Sequence, residues 1–424
     1  MAVSPANQTN SQALFKERYR NLAVALYESG YDTCTKIDKR TDVEKIGPRG
    51  LIVAKKMRPG GTVRTFNPDG GGLGRGTGAL YAQATVTAIP LLVALEATRA
   101  AQWYTATNDI AIKNAVKDQL KDGTTEYKAQ LDRYIFGGGD GIVATFASGS
   151  GATYVMSAPI GTRWLRAGHS YELYTAAAAA SRSQTVTIES IDHKNRSVTF
   201  TDTPGTTPVA TNVLLPAGVS GATPAWFLGF RYHFSSAATG YWLNVNRATY
   251  PQIRTVEVTA GGGPLVQTHV RALKNRMQLY REKCFERGNW EVVMNPAQQQ
   301  AYEELGYGVN QYPKNQPSRT GLEVMYDPAQ FSVDGMTPHV TPNQNPTVID
   351  ITNWEKWFRV ETVAFGLYTV DEVSTFPVYG NDGGLTTSDV MYLAGIHNYA
   401  VDDPMLGGYV SNLGIPEGYS EFGA

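Results

Sequence analysis

Arg49-Gly50-Leu51-Ile52-Val53-Ala54-Lys55-Lys56-Met57-Arg58-Pro59-Gly60-Gly61 opens the stretch that decides the fold. The glycine-rich Asp69-Gly70-Gly71-Gly72-Leu73-Gly74-Arg75-Gly76-Thr77-Gly78 follows, and the chain returns as Leu80-Tyr81-Ala82-Gln83-Ala84-Thr85-Val86-Thr87-Ala88-Ile89. Gly50–Ala54 reads as a strand, and 80–89 alternates well enough to answer it. The prediction is a long two-stranded ribbon with a glycine-rich tip. One hairpin buries too little to be stable alone in water, so this one needs a surface to lie on. Its charge is one-sided: Arg49, Lys55, Lys56, Arg58, Arg64 and Arg75 stand against Asp69 alone. A solvated basic loop would look like this. So would an arm steered onto an acidic patch of a neighbouring molecule, and the hairpin's inability to bury itself favours the arm.

Upstream, the first dozen residues are polar. Ser11 is placed to cap a helix over 12–29, with Leu14, Phe15, Arg18, Tyr19, Leu22 and Leu26 at helical spacing and Gly30 as its stop. From there to Pro48 the chain reads as charged and irregular. Downstream, Pro90–Thr105 fits either a helix or a strand. Asn108 or Asp109 then caps a long helix to Phe136, which Asp122-Gly123 is expected to break or bend. Gly137-Gly138-Gly139-Asp140-Gly141 ends it. Ser, Thr, Gly and Ala dominate 142–245, and Val186–Ile191, the turn Asp192–Arg196 and Ser197–Thr201 form a hairpin. The expectation is a small antiparallel barrel or sandwich inserted into a larger domain. Pro264–Glu286 reads as a helix with the stripe Val266, Val270, Leu273, Met277, Tyr280 and Cys284. Trp290–Met294 reads as a buried strand and Pro296–Leu305 as a helix capped by Asn295. Beyond them lie Pro- and Asn-rich loops (339–346) and strands such as Phe358–Val363.

Composition narrows the function. The 424 residues are 42% hydrophobic and carry 37 Lys+Arg against 38 Asp+Glu, a net charge of −1. Tight duplex DNA binding needs a basic surface that this balance does not supply. Cys34 and Cys284 are the only cysteines, too few for a disulfide framework or a Cys-rich zinc site. No run of 18 apolar residues and no secretory leader is present, so neither a membrane span nor export is expected. The glycines at 70–78 match neither the phosphate loop nor the dinucleotide spacing. His169, His193, His233, His269, His339 and His397 show no metal-binding spacing. Asp371-Glu372 and Asp402-Asp403 read as solvated loop carboxylates, and Cys284 as core rather than nucleophile. No catalytic, cofactor or metal residue is assigned, and no enzyme is expected.

The order of parts resembles the tailed-bacteriophage major capsid proteins of the Hong Kong 97-like fold, an α+β class, in a form with an inserted β domain. The likeness rests on the polar arm and helix, the glycine-tipped loop, the long helix ending at Gly137–Gly141, and Val186–Phe200. It continues through Phe227-Leu228-Gly229-Phe230, Tyr241-Trp242-Leu243-Asn244 and Asn246–Pro251 to the helix 264–286 with Trp290–Pro296 after it. It implies an N-terminal arm and helix (1–48), an extended loop (49–89) and a peripheral domain with spine helix (90–141). An inserted β-rich domain (142–245), a return strand with axial domain (246–350), and peripheral and axial strands with a C-terminal tail (351–424) follow.

The resemblance also implies self-assembly into hexamers and pentamers that form an icosahedral shell in the virion around double-stranded DNA, held by weak contact. Assembly in the host bacterial cytoplasm with scaffolding and portal proteins is implied, and a decoration protein fits the same scheme. Lys55, Lys56, Arg58, Arg64 and Arg75 would make the inter-subunit contact of the extended loop. Some relatives crosslink a loop lysine to an asparagine of a neighbour. Lys55 and Lys56 lie in the corresponding loop, but no partner asparagine can be matched. A chain starting at Met1 is expected to lose no long leading segment, which points to a separate scaffolding protein. The competing readings are an encapsulin-like nanocompartment shell and, from 24 tyrosines and 7 tryptophans beside a β insert, a carbohydrate-binding or carbohydrate-active protein.

Overall fold

The computed structural model describes residues 32–38, 43–45, 50–61, 63–64, 76–99, 102, 115–175, 181–219, 226–282, 284–286, 288–307, 333–369, 375–379 and 385–416. The expected helix over 12–29 lies outside them. The stretch before Pro48 is more regular than its sequence suggests. Helix α1 (Thr33–Asp38) buries Thr33, Cys34 and Ile37, and strand β1 (Val43–Lys45) pairs in parallel with residues 359–361. Strands β2 (Leu51–Arg58) and β3 (Leu80–Val86) form the ribbon, so Lys55, Lys56 and Arg58 sit within a strand rather than at the tip.

The segment that sequence left open is a strand, β4 (Ile89–Thr98). After it, helix α2 (Ala115–Tyr134) forms the spine and runs unbroken through Asp122-Gly123. A Cβ on Gly123 would stand 3.0 Å from the Leu95 methyls and 3.3 Å from a Leu393 methyl. Glycine lets the helix settle onto the sheet at that point, and close packing offsets its poor helix propensity.

Six strands then close a barrel: β5 (Ala144–Ser150), β6 (Thr153–Met156), β7 (Ser170–Tyr174), β8 (Ser181–Asp192), β9 (Ser197–Phe200) and β10 (Val213–Pro216), in the order β10-β5-β6-β9-β8-β7. Phe146, Tyr154 and Phe200 fill it with ring centroids 5.4–6.3 Å apart. The β8–β9 turn works as its sequence suggests. Asp192 accepts the Lys194 and Asn195 amides, and Arg196 adopts φ 53°.

Residues 226–246 do not belong to the barrel. Helix α3 (Phe230–His233) and the hairpin β11 (Tyr241–Trp242) and β12 (Val245–Asn246) pack into the body instead. Here Phe230 N donates to Ile135 O at 2.7 Å, and the segment passes so close to the end of the spine that a Cβ on Gly229 would fall 2.1 Å from Ile135 O.

Strand β13 (Val256–Thr259) and helix α4 (Gln267–Tyr280) start the axial part. The helix begins after Pro264 and stops at Tyr280, whose ring is exposed. Cys284 falls in a separate turn, outside the expected stripe. Strand β14 (Trp290–Met294) is buried throughout, and Asn295 caps helix α5 (Pro296–Tyr307) by accepting the Ala297 amide at 3.0 Å. Strand β15 (Thr337–Val340) holds His339, and the following Pro/Asn-rich turn is buried rather than open. Strand β16 (Ile349–Asn353) leads to β17 (Trp357–Leu367), β18 (Thr375–Tyr379), β19 (Leu385–Val401) and β20 (Gly407–Ser411).

Two sheets result. The axial sheet is ordered β13-β20-β16-β14-β15 and carries α4 on β13 and β20. The peripheral sheet is ordered β1-β17-β19-β18, with β4 also paired to β19 and α2 lying against β4.

Gly229→Ala is expected to lower unfolding free energy by about 3 kcal/mol or more, because it meets backbone. Gly123→Val, meeting only leucine methyls, should cost about 1–3 kcal/mol by overpacking. Urea midpoints of the purified chain check both, and equal small losses would contradict the close approach at Gly229.

Candidate functional site

The ribbon's alternation separates its two faces. Leu51, Val53, Lys55 and Met57 turn inward, and Ile52, Ala54, Lys56 and Arg58 turn outward. Across from them Ala84 and Val86 are fully buried, while Tyr81 and Gln83 face solvent. The inner face rests on its own molecule, against a cluster formed by Leu228, Trp242, Leu243, Val245, Ile253, Phe358, Val360 and Ala400. The sequence favours a neighbouring molecule as the surface under the ribbon; for the paired strands, the inner face lies on its own chain instead.

Polar contacts fix that seating. Thr85 N donates to Leu243 O (3.0 Å), and Gln252 Nε2 donates to Met57 O (2.9 Å). Leu243 sits at the tip of the β11–β12 hairpin with φ 47°, an uncommon conformation for a bulky residue. Its amide is held by Tyr232 Oη at 2.9 Å. At the ribbon's root, buried Asn398 donates to Thr87 O (2.8 Å) and accepts the amides of Leu228 (3.0 Å) and Tyr399 (2.9 Å). Beneath lies His233. Its Nδ1 accepts from Trp242 Nε1 at 3.1 Å and its Nε2 faces Tyr399 O at 3.3 Å, so the ring is neutral and donates from Nε2. Burial pushes His233 down to about 3, and burial with Arg359 nearby does the same to His397.

The predicted contact residues divide. Lys55 points inward and pairs with Asp402 of its own chain at 3.4 Å. Asp402 is half exposed, so this pair contributes little. Lys56, Arg58 and Arg64 are exposed, and Arg75 lies outside the described residues. The described ribbon residues 50–61, 63–64 and 76–86 include four cations and no carboxylate. Sequence reasoning missed Ile52 and Tyr81, which are 61% and 59% exposed on the outward face. The period-2 alternation was the available signal, since it places adjacent Lys55 and Lys56 on opposite sides.

Other candidate chemistry resolves into structure. Asp403 caps the turn at Pro404–Leu406 and pairs with Arg281 at 2.8 Å, and Asp371-Glu372 lies outside the described residues. His269 Nδ1 accepts the Val266 amide at the start of α4 (3.4 Å), and His169 takes a bond from Gln130 (3.0 Å). Among the described residues no group of three or more His, Cys, Asp or Glu could hold a metal, and no helix is long and apolar enough to cross a membrane. Trp164, Trp242, Trp290, Trp354 and Trp357 are buried, so five of the seven tryptophans behind the carbohydrate reading belong to the core.

No family model and no curated protein matches the chain by sequence. Its likeness is in three dimensions. The Cyanophage A-1(L) capsid structure superposes with a TM-score of 0.60 at 9% identity, over 94% of this chain and 97% of that one. The chain has a phage capsid fold. This is the Hong Kong 97-like architecture expected from the order of parts. The capsid of a native GTA particle gives 0.49 at 8% identity, over 95% of this chain and 97% of that one. An encapsulin complex from Synechococcus elongatus gives 0.40 at 6%, over 80% and 79%. At those scores neither adds to the argument.

Two outcomes follow from the capsid fold's ribbon seating. Asn398→Ala strands one carbonyl and two amides and is expected to cost about 2–4 kcal/mol, with faster proteolysis between residues 59 and 79. Unchanged urea midpoint and cleavage would remove Asn398 from this role. For pH, the unfolded chain binds protons on His233 and His397 below about 6.5 that the folded chain refuses until about 3. Stability is therefore lost as pH falls through that window, by up to about 1.4 kcal/mol per unit for each histidine. Urea midpoints between pH 6.5 and 5 should decline steadily; a flat profile would contradict the buried neutral rings.

Proposed function

We propose that this chain is a major capsid protein, self-assembling as hexamers and pentamers into the icosahedral shell that encloses phage double-stranded DNA. The observation that carries the proposal is the outward face of the ribbon. Ile52 and Tyr81 are exposed there beside Lys56 and Arg58, on an extension whose inner face is already occupied. An apolar strip with a cationic border is a surface suited to a partner, and a fold shared with a capsid protein over nearly its whole length makes that partner another copy. Across the fold, the peripheral sheet exposes Leu92, Val363, Leu367 and Tyr368, an apolar surface of comparable character. A heterologous contact of ribbon onto a neighbouring sheet repeats around a ring and closes when the rotation suits.

Lys56, Arg58, Arg64 and Arg75 then contribute by steering rather than by strong individual pairs. Scaffolding and portal proteins, loosely bound DNA and a decoration protein are the partners this role calls for, in a virion assembled in the host cytoplasm. The fold does not by itself separate a virus shell from a nanocompartment; the contents of the particle do.

Tyr81→Asp with Ile52→Asp should leave a folded subunit and reduce particle formation at least tenfold, read by light scattering and electron microscopy with co-expressed scaffolding protein. Shells forming normally from this variant would take the ribbon's outer face out of assembly. Protease-protected double-stranded DNA in particles from infected cells is the expected cargo, and a folded enzyme in its place would give the nanocompartment reading.

A further inference from the structure

Helix α1 is short, yet it touches both the axial and the peripheral parts of the molecule. On the axial side, the Lys36 ammonium pairs with Glu291 of β14, and Thr33 Oγ1 bonds His339 Nε2 of β15 at 3.0 Å. Asp32 stands 3.6 Å from the other nitrogen of His339. On the peripheral side, α1 packs on α2 and β17, and the Cys34 amide donates to Asp132 Oδ1 of the spine at 3.0 Å. Lys36 also lies 5.9 Å from the ring centre of Trp354, in the turn where the chain passes from axial β16 to peripheral β17.

Asp132 is where these contacts converge. It is 2% exposed and also accepts the Thr33 amide. Its second oxygen receives Asn343 Nδ2 at 3.2 Å, from the buried axial turn after β15. Asn343 O in turn accepts the barrel's Trp164 indole at 3.1 Å. One carboxylate therefore ties the N-terminal helix, the spine, the axial turn and, at one remove, the barrel. A buried carboxylate is tolerated only while donors surround it. If α1 departs, Asp132 loses two backbone donors together and keeps Asn343. The penalty then falls on the spine and the axial turn rather than on α1.

We infer that α1 is a staple between the peripheral and axial parts, whose release loosens the end of the spine helix and the axial turn together. The chain ahead of Asp32 leads directly into this staple, so a partner drawing on residues 1–31 acts on the junction through it. The inference holds whether or not the chain builds shells.

Hydrogen exchange on the full-length unassembled chain tests it. Lys36→Ala, alone and with Thr33→Val, removes the Lys36 and Thr33 side-chain contacts to the axial part while leaving Asp32 beside His339 and Cys34 and Ile37 in the core. The expected result is at least tenfold faster exchange in 33–38, in 129–136 and in 341–347, with the barrel hairpin 186–200 unchanged. Faster exchange confined to 33–38 would overturn the staple, as would a general rise that includes the barrel. As a second reading, deleting residues 1–31 should preserve protection at 341–347, and deleting 1–38 should lose it. Equal protection in the two truncations would also overturn it.

Discussion

A two-stranded ribbon has two faces and one thickness, and no two-stranded sheet can desolvate both by itself. Much of this architecture answers that constraint. The inner face is covered by the chain's own Trp242, Leu243 and Phe358, and the backbone is stitched to Leu243 and Asn398. The outer face keeps Ile52 and Tyr81 in water. The described strands of the ribbon are therefore already ordered on their own chain, so a contact made by the outer face would not have to supply the whole entropy of ordering them. The alternative, an arm ordered only on contact, would weaken each contact by the cost of fixing its backbone.

The same logic runs through the interior, where single buried polar groups join parts distant in sequence. Asn398 binds the ribbon root, the segment before α3 and β19 at one point, and Asp132 binds α1, the spine and the axial turn. Each is satisfied by partners distant in sequence. A buried polar group with its partners in place specifies one arrangement of the parts more sharply than apolar packing, which tolerates sliding. His233 works likewise as a neutral wedge with both nitrogens committed.

Local chemistry was legible wherever local chemistry decides. The Asp192–Arg196 turn, the Asn295 cap and the buried run Trp290–Met294 follow from residues within a few positions of one another. Reading failed where a distant surface overrides local preference. Gly123 looked like a helix break because Leu95 and Leu393 are invisible from its neighbourhood. Residues 339–346 looked like an open loop because polar Asn343 and Gln344 find Asp132 and Asp350 only in the folded molecule. Pro90–Thr98 lacked a decisive period, and pairing with β19 made it a strand. In the candidate site the basic character was plain and the facing was not drawn from it. Lys55 meets Asp402, 347 positions away, and nothing near either residue announces it.

Nine per cent identity with a shared fold over 94% of the chain has a physical reading. What is common to the two chains cannot be a set of side chains, since nearly all differ. What can be common is the order and spacing of elements, which in this chain are a ribbon, a spine, a sheet that receives both, and a second sheet whose inner strand β20 arrives last. Volume-conserving exchange leaves such a framework intact so long as each face stays apolar where it must. In this chain the positions least open to exchange are those of close approach or buried polarity, such as Gly229, Asp132 and Asn398. A fold specified in this way can lose its sequence signature and keep its shape, because its constraints act on order, spacing and burial more than on identity.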